Sequence, residues 1–163
     1  MGLDSARILI LGIGNLLLRD EGVGIHTIRE LQKLPPVKNV EIMDGGTGGF
    51  ELIRSFTGMG KVIIIDAFKA DLPSGAVVQS RIENLRFAVD DKFSVHQNGL
   101  QELIFHAKNL DPPPEIILYG IVVKDCQMFS TELTSEVQAS LPALISMILK
   151  EINGKGKNTQ QLD

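Results

Sequence analysis

The chain has one cysteine, Cys126, no tryptophan, one tyrosine and only 5% aromatic residues. A single thiol excludes an internal disulfide and any CxxC metal or redox pair, so Cys126 is read as a small loop or core side chain. No apolar run approaches the roughly 20 residues that a membrane span needs. The start carries no basic region followed by an apolar segment and cleavage site, so a cytoplasmic protein that does not engage a membrane is expected. Excess positive charge is also missing. With 16 Lys and Arg against 20 Asp and Glu the net charge is −4, and the basic residues are scattered, which argues against nucleic acid as a partner. P-loop, GxSxG and HExxH patterns are absent, removing the standard phosphate-loop, serine-hydrolase and zincin chemistries.

What remains is an ordinary α/β pattern. At 163 residues and 44% hydrophobic content the chain suits one domain, residues 1–152, followed by a flexible polar tail over 153–163. Apolar runs at 7–13, 40–44, 61–66, 76–80 and 116–123 predict five strands. The first and third barely alternate, as strands buried on both faces do. Helical spacing places Ile25, Ile28, Leu31 and Leu34 on one face of a helix over 22–34 that stops before Pro35-Pro36. A short helix is expected through Leu52, Ile53 and Phe56, and another carries Leu100, Leu103, Ile104 and Ala107. The last helix, over 134–152, contains Pro142 and should kink there. Only nine residues separate Asp66 from the fourth strand, fewer than a parallel crossover uses, so that strand should run antiparallel at an edge. The result is a three-layer α/β/α sandwich on a mixed sheet.

In such sheets ligands bind beyond the carboxyl ends of the strands. Four residues are expected at or facing that edge. Glu21 lies beyond strand one, Asp44 ends strand two, Asp66 ends strand three, and His96 falls in the first turn of a helix capped by Ser94 and Gln97. Gly12-Ile13-Gly14 after a strand suggests a dinucleotide turn, but Leu17 stands where the third glycine belongs, and Asp20 and Glu21 would repel a pyrophosphate. Glu21, Asp66 and His96 form an acid–acid–imidazole set suited to divalent Zn, Ni or Mn with a coordination position left open. Asp20 is assigned as the cap of its own helix, and His26 and His106 as structural or exposed. An Asp44–Asp66 dyad sharing a proton is disfavoured, because one intervening strand separates their ends by about 10 Å at ~4.8 Å per strand.

Taken together, Gly12-Ile13-Gly14-Asn15 with Arg19-Asp20-Glu21-Gly22-Val23-Gly24, then Asp44-Gly45-Gly46-Thr47-Gly48-Gly49, Ile63-Ile64-Ile65-Asp66-Ala67 and Ser94-Val95-His96-Gln97-Asn98-Gly99 resemble the hydrogenase maturation endopeptidases over about residues 7–152. The resemblance implies a phosphorylase/hydrolase-like sandwich with strand order 2-1-3-5-4. It also implies removal of a C-terminal extension from the nickel-loaded precursor of a nickel–iron hydrogenase large subunit. By motif, Glu21, Asp66 and His96 become metal ligands and Asp44 the catalytic carboxylate of an aspartyl-type peptidase. Nickel would arrive with the substrate, zinc or cadmium could stand in for it, and the enzyme itself would be a monomer. Asn98 departs from the hydrophobic residue common at its position. Two alternatives remain open: a chaperone that checks nickel without cutting, and a small nucleotide-binding domain.

Overall fold

The computed structural model describes residues 6–82 and 97–154, without the side chains of Gln97 and Asn98. Five strands form one sheet in the order β2-β1-β3-β5-β4. These are β1 (Ile8–Gly12), β2 (Val40–Asp44), β3 (Lys61–Phe68), β4 (Val77–Arg81) and β5 (Glu115–Val122). β1, β2, β3 and β5 run parallel, and β4 pairs antiparallel with β5 as the short connection requires. The tail expected from residue 153 lies outside the described residues beyond Gly154.

Side chains alternate between the two faces of each strand. Leu9, Leu11, Val62, Ile64, Ile116 and Leu118 face one core, which is covered by α2 (Gln97–Ala107) and a 3-10 segment, Phe50–Phe56. Ile10, Ile63, Ile65, Ile117, Tyr119 and Ile121 face the other, under α1 (Val23–Gln32) and α3 (Ser135–Ile152). Both faces are apolar, so the central strands read in sequence as continuous hydrophobic runs. Burying a side chain such as Ile64 contributes roughly 2–3 kcal/mol. Tyr119 accommodates its hydroxyl in this core by accepting a hydrogen bond from Gln79 Nε2 at 3.1 Å. Burial, with the Glu151 carboxylate nearby, pushes its phenol up to about 12.

Three expectations need correction. α1 ends at Gln32, and Leu34 is exposed instead of completing the apolar stripe. Pro35 explains this, since it disfavours helical geometry in the residue before it. β3 runs on to Phe68 rather than ending at Asp66, because β5 continues to pair with it after β1 has stopped at Gly12. Asp20, expected to cap the helix over 22–34, instead shares with Glu21 a separate 3-10 turn, Arg19–Gly22, immediately before α1. α3 continues unbroken through Pro142, and Leu100, Leu103, Ile104 and Ala107 are all buried in α2.

Candidate active site

β1 ends with Gly12 in register with Asp44 on one side and Ile65 on the other. Asp66 is thus the first residue of β3 to pass the end of β1, and on its far side it pairs with Gly120 of β5. Its carboxylate is buried, and Oδ1 accepts a hydrogen bond from the Ala67 amide at 2.8 Å. The chain leaving β1 stays against this strand, with Ile13 N donating to Ile65 O at 2.9 Å.

From there, residues 15–21 close into a compact loop. Asn15 N donates to Glu21 O, Leu17 N to Asn15 Oδ1, and Glu21 N to Leu18 O. A Cβ on Gly14 would stand 2.3 Å from Glu21 O, and one on Gly24 would stand 2.2 Å from Ile13 O. Both glycines therefore let backbones touch. The Gly14 amide donates to Gly46 O and the Asn15 amide to Glu21 O, so these two amides are turned into the loop instead of toward a phosphate.

Glu21 is buried in the Arg19–Gly22 turn, which packs against β3. Its neighbour Asp20 behaves differently from the cap expected of it. α1 begins after Gly22 with no side-chain cap, and the fully buried Asp20 carboxylate reaches the far end of the chain. It accepts from Thr134 N at 2.7 Å and from Thr134 Oγ1 at 2.8 Å, at the start of α3. The helix-capping residue of α3 is thus fixed by an acid 114 positions earlier.

The loop before α3 adds further ties. Leu18 forms a parallel bridge with Ser130, and Asp20 N donates to Asp125 O. Arg19, held at φ +50°, places its guanidinium 3.0 Å from Asp125 Oδ2. The Met128 amide foremost, with the Gln127 amide and Arg19, holds the Asp125 carboxyl below the usual carboxylate range. Asp125 and Thr134 were not singled out from sequence, and Asn15 and Arg19 entered only as members of a longer motif, with no role given. Asn15 alone had a local signal, as an Asx-type residue just after a strand.

Asp44 is exposed, and its Oδ1 accepts from the Gly46 amide at 2.8 Å, which tightens the glycine-rich turn. β1 lies between it and Asp66. His96 falls outside the described residues, as does the capping pair that includes Ser94. Among the described residues no group of three His, Cys, Asp or Glu side chains is placed to hold a metal ion. Cys126 is buried against the α3 core, and burial pushes its thiol up to about 11, which suits a packing residue and not a nucleophile. His106 packs its ring against Phe50 and Phe105. His26 is partly buried, and its Nε2 has no hydrogen-bond partner among the described residues.

Buried carboxylates gathered at one sheet edge, next to a glycine-rich turn, also fit the comparisons with known proteins. A family model described as hydrogenase maturation protease matches residues 25–151. The hydrogenase expression/formation protein HupD of Rhizobium leguminosarum is 33% identical over 93% of this chain and 77% of its own length. The hydrogenase 2 maturation protease of Escherichia coli is 31% identical over 92% of this chain and 93% of its own length. Among solved structures, the hydrogenase maturating endopeptidase HybD from E. coli superimposes with a TM-score of 0.80, at 29% identity, over 92% of this chain and 94% of that one. The family model, the relatives and the fold thus show that the chain belongs to the hydrogenase maturation protease family and is an endopeptidase.

Proposed function

We propose that this endopeptidase removes the C-terminal extension from the nickel-loaded precursor of a nickel–iron hydrogenase large subunit. The observation that supports the assignment of residues is the burial of two carboxylates in a chain of this family, Glu21 in the turn beyond β1 and Asp66 on β3 just past the end of β1. Two carboxylates with the imidazole of His96 form a borderline-hard donor set that suits nickel, and zinc or cadmium in its place. Nickel comes with the substrate, and its chemistry there is to polarise the scissile region as a Lewis acid.

The chain's own residues then divide the work. Glu21, Asp66 and His96 engage the substrate's nickel and thereby register the extension. Asp44, exposed and oriented by the Gly46 amide, accepts a proton from the attacking water and returns it to the leaving amine. In this scheme the enzyme is of aspartyl type without a shared-proton dyad, acts as a monomer and works in the cytoplasm. No helix among the described residues is long and apolar enough to cross a membrane.

Mass spectrometry of the precursor incubated with the protein, nickel-loaded and nickel-free, tests the proposal. Loss of a C-terminal peptide from the loaded form alone is expected. Cleavage of both forms removes nickel as the gate. Binding without cleavage favours a chaperone. Folded Glu21→Gln, Asp66→Asn and His96→Ala variants that all cut at the parent rate would overturn the ligand assignment, and a fully active Asp44→Asn would overturn the base.

A further inference from the structure

Phe129 is the most exposed large apolar residue among those described, at 83%, and Leu17 and Met128 stand 58% and 54% exposed. Leu17 and Phe129 each come one residue before the partners of the Leu18–Ser130 parallel bridge. The bridge brings the backbones at Leu17 and Phe129 side by side, and Met128 reaches the same segment through Arg19. Single exposed apolar residues are ordinary on a protein surface, but neighbouring large ones mark an interaction site more often.

This patch is rigidly mounted. Ser130 N donates to Leu17 O at 3.1 Å and Arg19 N to Ser130 O at 2.9 Å. Met128 N donates to Asp125 Oδ1, and Arg19 Nη1 stands 3.0 Å from Met128 Sδ. The same guanidinium is paired with Asp125, so the charge beside the patch is compensated within the protein. An ordered apolar surface binds without the cost of freezing a loose loop.

Position decides what covers it. Leu17 lies four residues from Glu21 inside the closed 15–21 loop, so their Cα atoms are at most about 14 Å apart. A protein whose peptide reaches Glu21 and Asp66 must lay its body across this rim. We infer that Leu17, Met128 and Phe129 form a docking ledge for an apolar surface of the protein substrate, setting affinity and specificity without touching the cleaved bond. The inference rests on the proposed function for the identity of that substrate.

Cleavage of nickel-loaded large-subunit precursor by Leu17→Ser and Phe129→Ser, with Phe105→Ser on α2 as the control, provides the test. The ledge variants should raise KM at least ten-fold with kcat within two-fold and unchanged thermal unfolding, while the control matches the parent. A parent-like KM in both ledge variants overturns the inference. If the parent binds the precursor without cutting it, a ten-fold weaker complex with Phe129→Ser keeps the ledge and removes only the peptidase mechanism; a parent that does not bind the precursor removes both. Light scattering that shows a parent dimer split by Phe129→Ser makes a second copy the occupant and overturns the substrate ledge.

Discussion

The two ends of this sheet handle buried acids in opposite ways. At the amino end, Glu151 of α3 is buried against two cations, with Lys61 Nζ at 2.5 Å and Arg81 Nη2 at 3.2 Å, and Glu115 bonds to the same two cations from the start of β5. At the carboxyl end, Asp20 is equally buried but is met by the N–H and O–H of Thr134. Ion pairing tolerates small movements, because Coulomb attraction falls off slowly with distance. Two hydrogen bonds from one residue to both oxygens of a carboxylate allow far less. The amino end is thus arranged to compensate charge, and the carboxyl end to fix geometry beside Glu21.

Removing each acid in turn probes that difference. Asp20→Ala leaves both Thr134 donors without their acceptor and should cost about 3 kcal/mol. Cleavage should fall at least ten-fold in protein that is still folded. Asp20→Asn should restore part of both, since the Thr134 hydroxyl can accept as well as donate. Glu151→Ala should cost about 2 kcal/mol, a value reduced because Arg81 reaches water, and folded protein should cut at the parent rate. Chemical unfolding combined with steady-state cleavage measures both; a Glu151 variant that loses activity while Asp20→Ala keeps it would reverse the comparison.

A smaller effect is expected at His26, on the α1 side of the same loop. Burial foremost, with Arg29, lowers its pKa from the ordinary 6.5, against opposing contributions from the Thr131 carbonyl, Glu30 and Asp20. The unfolded chain therefore takes up a proton before the folded one does. This contribution to stability is complete above about pH 6.5 and is lost as pH falls through the lowered value. His26→Leu should flatten the melting temperature between pH 7 and pH 5; an unchanged slope would show that other groups set it. Least of all should change at Cys126, which is expected to resist iodoacetamide in the native state at pH 8 and to react on unfolding.

The parts legible in sequence were those governed by neighbours along the chain. Val40–Asp44 was found at its observed bounds, and the nine residues after Asp66 identified the antiparallel strand. What sequence pattern missed depends on distant partners. Asp20 looks like a local cap until α3 brings Thr134 to it, and β3 looks two residues shorter until β5 is paired beside it. Asp44 and Asp66 could be nominated because strand ends are readable: β2 ends at Asp44, and Asp66 stands just past the end of β1, while Glu21 lies in the turn beyond it. The clamp that holds Glu21 was not readable, since Asp125 and Thr134 resemble ordinary turn and cap residues.

The Asp20–Thr134 contact also has a consequence for synthesis. The chain is made from its amino end, and domains assemble as their parts become available. β1, β2 and β3 are complete by Phe68, but the turn carrying Glu21 lacks its anchor until residues 125–134 have been added and α3 can dock. A nascent or truncated chain therefore holds both acids without their final alignment. If Glu21 and Asp66 act as proposed, the site is therefore the last part of the fold to be completed, and a chain lacking residues 125–134 should cut poorly.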